Sequence, residues 1–509
     1  MPAALLLVLA LTAQPAPRYT VIVGPEGMRS AMVPWTQHRI AQGHAIRGVT
    51  SDGTAENVRA RIAAAVPPGS LESVVLLGDV PIVPTFYPAA KVNVHFGSES
   101  TIASDNPYGD FDADGIPEVA VGRLPADSPA ELSRMMGKIL KYETSVDLSS
   151  WRRRINFIAG VGGMGALADM AMEAATKSIL CESIPAAYAT TMTYASWQSP
   201  YCPAPSLFRD ATLARLNEGC LFWVYLGHGH WRHVDAVQVP QGAHPILSCT
   251  DASQIRSTSG APVALFLACY TGAFDAPQDC LAEEMLRTPA GPVAVISGSR
   301  VTMPYAMAVL GTEMLEELFA HQRETLGEIV VNAKRNSMLK PRDDARSRIL
   351  DGVARMLNPA KTDLADERAE HVLLFNLLGD PLLRLRHPAE ADVHVSGNAR
   401  RGGTLQVRVH SPIAEGQATV ELVVRRDRLT FAAESRSTYD PSPLGQVAYQ
   451  QQYERAIDAR LASAELDFEG KTFNVSLPVP DDANGPCHVR VYVHGKENFA
   501  IGSTDIAIE

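Results

Sequence analysis

"PVALFLACYTG", residues 262–272, is an unbroken apolar run that stops at Ala268-Cys269 and turns at Tyr-Thr-Gly. A run of that length without polar alternation fits a strand buried on both faces, as in a parallel sheet covered by helices. "LFWVYLGHGHWRH", residues 221–233, has the same build: an apolar run, then Gly227, His228 and Gly229, then His230 and His233. "RRINFIAGVGG" at 153–163 and "GPVAVISGSR" at 291–300 supply two more such runs, with helical stretches near 305–336 and 343–357. Strands alternating with helices imply an α/β unit with a mostly parallel sheet flanked by helices. In such sheets chemistry gathers at the carboxyl ends of the strands. If the 221 and 262 runs are neighbours, His228 and Cys269 emerge on one edge.

Upstream, "RYTVIVGPE" (18–26) and "LESVVLLGDVPIVP" (71–84) read as buried strands of an N-terminal α/β subdomain. "SPAELSRMMGKILKYET" (128–144) is a helix with Ser128 as N-cap and Glu131 at capping-box spacing. From about residue 389 the pattern changes to short alternating strands, "TLQVRVH", "ATVELVVRRD" and "HVRVYVHG" among them, with almost no helix pattern. That predicts a C-terminal β-sandwich. The expected division is a signal peptide at 1–17, subdomains at 18–150 and 151–388, and the sandwich at 389–509. The expected leader is the short apolar block within "MPAALLLVLALTAQPA" followed by small residues, although a basic flank is missing. It implies a secreted or cell-envelope location. The chain has a net charge of -11, and no other stretch is long and apolar enough for a membrane helix. Nucleic acid and anionic membrane are therefore not expected partners.

Three chemistries compete for these residues. Gly160, Gly162 and Gly165 with Glu182 match a dinucleotide fingerprint, but the motif is short and sits badly with a secreted chain. The cluster His228, His230 and His233 resembles a zinc hydrolase motif, yet Arg232 stands where a ligating Asp belongs. The third is a Cys–His pair, in which a thiol nucleophile needs a proton-transfer group and backbone donors for an oxyanion.

At His228-Gly229 and Ala268-Cys269 the sequence resembles the gingipain-type cysteine peptidases of the caspase-like clan CD. "SDNPYGDFDADGIPEVAVGRLPADSPAEL" (104–132), "CLAEEMLRTPAGPVAVISGSRVT" (280–302) and "LLGDPLLRL" (377–385) extend the similarity, over roughly 19–388. The resemblance implies a caspase-like fold with two subdomains and a trailing immunoglobulin-like domain. It implies a cysteine endopeptidase acting on protein or peptide substrates, without an organic cofactor and with cell-surface association an option. Cys269 would be the nucleophile, His228 the proton-transfer group, and the Gly229 and Cys269 amides the oxyanion donors. His230 stands where this family often has Ser, and alternation along an extended segment leaves a swap with His228 open. Asp275 and Asp235 are candidates for an acid reading a basic P1 residue, without an alignment to decide between them. Separately, Asp110, Asp112 and Asp114, then Gly115 and Glu118, match the first half of an EF-hand-like loop. Val121 stands where the twelfth-position acid is usual, which leaves a solvated acidic turn as the alternative; the resemblance and an extracellular setting imply a structural calcium ion, with Glu118 at the ninth position compensating. The remaining alternatives are a non-catalytic adhesion or secretion module of the same fold, or a metal-dependent hydrolase built on the three histidines.

Overall fold

The computed structural model describes residues 17–161, 179–339, 345–356 and 362–509. Residues 1–16 of the expected leader, and Gly162 and Gly165 of the glycine motif, lie outside the described residues. Among the described residues, twelve strands are formed before residue 380: β1 (Tyr19–Val23), β2 (Ala45–Val49), β3 (Leu71–Leu77), β4 (Ala120–Leu124), β5 (Arg154–Ala159), β6 (Ala189–Tyr194), β7 (Phe222–Leu226), β8 (Ala236–Val239), β9 (Gly242–Pro245), β10 (Val263–Leu267), β11 (Ala294–Gly298) and β12 (Phe375–Leu378). All but the β8–β9 hairpin join one ten-stranded sheet in the order β2-β1-β3-β4-β12-β11-β10-β7-β5-β6.

Every pair in that sheet is parallel except β11 with β12, which meet antiparallel at Val295↔Leu378. The sheet is thus two parallel blocks running in opposite directions and joined at a single seam. β12, the last strand in sequence, belongs by direction to the block of β1–β4. Central strands are apolar on both faces because both are covered: Val263, Ala264, Leu265, Phe266 and Leu267 are all buried. This is why their sequences lack period-2 alternation.

The turn after β12 locks the seam. Asp380 is fully buried and accepts from Trp35 Nε1 at 2.5 Å and from Arg39 at 2.6 Å, both on the helix Val33–Ala41. Arg39 also grips Glu143 with two bonds of 2.8 Å. A buried cation held by two carboxylates is costly to disrupt, because removing one partner strands a charge in low dielectric. On the helix Pro129–Thr144 the Ser128 hydroxyl accepts from Glu131 N–H, as expected for its N-cap. The Glu131 carboxylate instead takes Asp127 N–H at 3.0 Å, one residue earlier than a capping box requires.

The C-terminal region is a β-structure of two sheets. It adds β13 (Ala389–Glu390), β14 (Asp392–Gly397), β15 (Thr404–His410), β16 (Glu415–Val424), β17 (Arg460–Glu469), β18 (Thr472–Pro478), β19 (Gly485–His494) and β20 (Phe499–Ile508). β13-β20-β19-β16-β17 form one sheet and β14-β15-β18 the other, enclosing their own core around Val407, Val420, Val489 and Val491. This is the β-sandwich the alternation predicted, and it is consistent with the immunoglobulin-like domain that the resemblance implied. One expectation is corrected: a 14-residue helix, Pro443–Ala456, lies between β16 and β17. Its start is written in Ser442, whose side chain accepts from Gly445 N–H at 3.1 Å, and in Pro443 at the first helical position. Tyr453 on this helix bonds Thr193 of the edge strand β6 at 2.8 Å, which ties the insertion to the large sheet.

The sandwich is fixed to the α/β unit by buried polar contacts. Glu421 receives both Arg153 (3.0 Å) and Arg490 (2.7 Å), and Tyr492 Oη donates to the Leu148 carbonyl at 2.7 Å. Burial and the neighbouring Arg490 push the Arg153 guanidinium down to about 10, while Glu421 is held low by the two cations against its own desolvation. No helix among the described residues is long and apolar enough to cross a membrane.

Candidate active site

β7 and β10 are adjacent and parallel, with Leu226 paired to Leu267. His228 and Cys269 each lie two residues beyond that pair, so the register delivers both to the same edge. The connection is tight: Gly227 N–H donates to the Leu267 carbonyl at 3.2 Å. A side chain at Gly229 would bring its Cβ within 2.4 Å of the Cys269 carbonyl oxygen and 3.0 Å of the Ala268 Cβ. Gly229 is therefore required by the closeness of the two strand ends. Among the described residues, neither the Gly229 nor the Cys269 amide donates to a backbone acceptor.

Each strand end is held by its own contacts. The buried Tyr225 hydroxyl donates to the His228 carbonyl at 2.9 Å and accepts from Asp235 N–H at 3.3 Å. After Cys269, Tyr270 adopts φ +57°, a left-handed conformation uncommon outside glycine. Its N–H donates to the Arg300 carbonyl at 3.0 Å and its hydroxyl to Glu99 at 2.8 Å. Strained conformations of this kind persist only where the surroundings over-determine them.

All seven cysteines are unpaired. Burial pushes the thiols of Cys181, Cys202, Cys220, Cys249, Cys280 and Cys487 upward, Cys202 to about 12 and Cys249 to about 11. A thiolate is the reactive form, so burial works against each of these six as a nucleophile. Cys269 is half-buried, at a strand end, beside an exposed histidine.

The other sequence candidates are placed as follows. The rings of His230 and His233 stack on each other at 4.8 Å, with His233 Nδ1 engaged by the Val234 carbonyl at 2.9 Å. The imidazole of His230 is pushed down by burial and by the charge of His233. Among the described residues the carboxylate, thiol and imidazole groups that converge within 4.8 Å do not include any of the three histidines, so the zinc-type cluster is not formed. Both Asp235 oxygens accept backbone N–H groups, Val161 at 3.1 Å and Ala236 at 2.8 Å. Asp275 is held bidentately by Arg300 at 2.8 and 2.6 Å. In the glycine motif, Gly160 packs under the Tyr225 hydroxyl, where an added Cβ would approach to 2.7 Å. Its smallness serves that contact.

Asp110, Asp112, Asp114 and Glu118 do converge, with ligand oxygens within 4.8 Å of one another. Asp110 accepts from Ala113 N–H (2.7 Å) and Gly115 N–H (3.0 Å), Asp114 from Ile116 N–H (2.7 Å), and Glu118 from Phe111 N–H (2.7 Å). Gly115 has φ +89°, the turn for which that position needs glycine. Burial, then repulsion from Asp112 and Asp110, raises the Glu118 carboxyl. A second acidic group, which sequence reading missed, joins Asp79, Asp279 and Glu283 across the chain. Burial and Asp79 raise Glu283 to about 8, so it carries a proton at neutral pH, and Arg287 pairs with Asp279 at 2.5 Å.

A mostly parallel sheet flanked by helices, followed by a separate β-sandwich, is a caspase-like α/β core with an added C-terminal domain. The description of peptidase family C25 matches residues 12–386, and the chain belongs to that family, the gingipain-type peptidases of clan CD. Lys-gingipain from Porphyromonas gingivalis is 25% identical over 194 residues, which are 38% of this chain and 10% of that relative. The match therefore spans about a tenth of the curated relative's length. A crystal structure of the Arg-specific cysteine proteinase gingipain R superposes with a TM-score of 0.54 at 17% identity, covering 97% of this chain and 98% of that one. A complex of the Porphyromonas gingivalis RgpB pro- and mature domains gives 0.52, also at 17% identity, covering 97% and 100%. At that identity, what these structures share with this chain is the fold.

Proposed function

We propose that this protein is a secreted or cell-envelope cysteine endopeptidase in which Cys269 and His228 form the catalytic dyad. The observation that carries the reading is the β7–β10 register, which sets the two residues level at one sheet edge. The Cys269 thiolate attacks a peptide carbonyl carbon, forming a C–S bond and an oxyanion facing the Gly229 and Cys269 amides. The C–N bond breaks as the His228 imidazolium gives its proton to the leaving amine. Water, deprotonated by His228, then attacks the thioester, and the C–S bond breaks to release the acid and restore the thiolate. Residues 18–150 and 151–388 act as two subdomains of this unit, and 389–509 as an immunoglobulin-like domain available for surface association. The test is turnover of a mixed fluorogenic peptide library by the wild type and by Cys269→Ala. Equal activity in both would sink the dyad, and activity in neither would favour a non-catalytic module.

The close fit of Gly229 against Cys269 supplies a second test. Gly229→Ala must push the strand ends apart against a backbone oxygen, and displacement by about 1 Å near a reacting pair costs about a hundredfold in rate. We expect a loss of that size in kcat/KM with the fold intact by circular dichroism; unchanged activity would show that the two strand ends do not act together.

Calcium is the cation we assign to Asp110, Asp112, Asp114 and Glu118. Hard carboxylate oxygens on a tight loop suit it, and a dication would relieve the repulsion that raises Glu118. The ion's part would be to brace the loop leading into β4. A chelator should lower Tm by several degrees and added calcium restore it, since a ligand at about a hundred times its Kd contributes about 2.7 kcal/mol. Asp112→Asn should blunt both effects. A melting curve indifferent to calcium would remove the ion from the account.

A further inference from the structure

We propose that Thr302 is a further catalytic residue of this site, its main-chain N–H and its hydroxyl holding the Cys269 sulfur as the thiolate. The inference rests on Cys269 being the nucleophile. Thr302 N lies 3.3 Å from Cys269 Sγ and Thr302 Oγ1 lies 3.5 Å from it, both within reach for a hydrogen bond to sulfur. The Thr302 carbonyl oxygen is 3.7 Å away and suits the neutral thiol, whose S–H donates to it. When that proton passes to the His228 imidazole, the sulfur becomes an acceptor only. The two Thr302 donors then meet the new negative charge. Hydrogen bonds to the charged form of a group favour ionisation.

The placement follows from the sheet. β11 flanks β10 on the side opposite β7, again parallel, with Phe266 paired to Ser297. Beyond β11 the chain wraps around the cysteine turn: Tyr270 N–H donates to Arg300 and Gly272 N–H to Gly298, each at 3.0 Å. Three neighbouring strands therefore end at one edge, the strand of His228 on one side of Cys269 and the Thr302 donors on the other.

The Thr302 segment is anchored where it leaves. His371 Nε2 accepts Met303 N–H at 2.7 Å, while His371 Nδ1 donates to the Glu367 carbonyl at 2.7 Å. Burial pushes His371 down to about 4, so it stays neutral and keeps its acceptor. Glu367 takes Ala306 N–H at 3.1 Å, and Asn93 Nδ2 donates to the Val301 carbonyl at 3.4 Å. Thr302 itself is 4% exposed, and its methyl group covers Gly298.

The experiment is the pH dependence of Cys269 alkylation by iodoacetamide, followed by mass spectrometry of its peptide, in the wild type, Thr302→Val and Thr302→Ser. Valine keeps the methyl over Gly298 and loses the hydroxyl; serine keeps the hydroxyl and loses the methyl. Thr302→Val should move the titration of alkylation up by about one pH unit and lower kcat/KM on the acid side about tenfold. Thr302→Ser should stay within about threefold of wild type, and thermal melts should show both variants folded. A Cys269 that titrates identically in wild type and Thr302→Val overturns the role of Thr302 alone. Serine behaving like valine overturns it too, by assigning the effect to packing. A Cys269 that resists alkylation throughout in all three proteins overturns the nucleophile assignment itself and this inference with it.

Discussion

Cys269→Ala is expected to abolish peptide turnover, a fall of about 10⁴- to 10⁶-fold in kcat, with the fold unchanged. The size follows from covalent catalysis, since no later step exists without the C–S bond. Burial raises the thiols of all six other cysteines, which works against rescue from within the chain. The check is active-site-titrated kinetics on the peptides that the wild type cleaves, with substrate binding to the mutant measured separately. Binding retained with turnover lost is the predicted pattern. Residual turnover above a hundredth of wild type would point to a different nucleophile.

His228→Ala should cost about 10³- to 10⁴-fold in kcat, whereas His230→Ala and His233→Ala should each cost less than about tenfold. The contrast is the informative part. His228 sits level with Cys269 beyond the paired Leu226 and Leu267, and its carbonyl is tied to Tyr225. His230 and His233 stack on each other in the hairpin that follows, bridged from Gly229 to Val234. A large loss in His230→Ala with His228→Ala spared would exchange their roles. Equal large losses in all three would revive a shared ligand cluster.

The two candidate strand ends were legible in the sequence because buried strands announce themselves by apolar runs, and each run ends in a potentially reactive side chain next to a small residue. Their adjacency was a conditional statement until β7 and β10 were seen to pair. Thr302 left no such trace. It acts on Cys269 only because β11 flanks β10 on the far side, and threonine after a strand is ordinary in any sequence. Asp235 and Asp275 looked available from their positions, but backbone amides and Arg300 already occupy their oxygens. The helix Pro443–Ala456 was hidden by the alternating strands on either side, although Ser442-Pro443 carried a start signal that could have been read.

The seam between β11 and β12 also sets an order for the molecule's birth. β4 ends at residue 124, but the strand that covers its open edge, β12, begins at Phe375. A chain emerging from the ribosome can pair β1, β2, β3 and β4 early, yet it carries β4 uncovered until about 250 further residues have been made. β11 waits for the same strand from the other side. Unpaired edges of this kind invite strand addition from other chains, and closure across so long a loop is slow. A truncation after Gly298 and before Phe375 would leave the facing edges of β4 and β11 both unpaired. Until β12 arrives, β4 and β11 each lack a partner on one edge, and β12 brings with it the neighbouring Asp380, which accepts from Trp35 and Arg39 and closes the sheet.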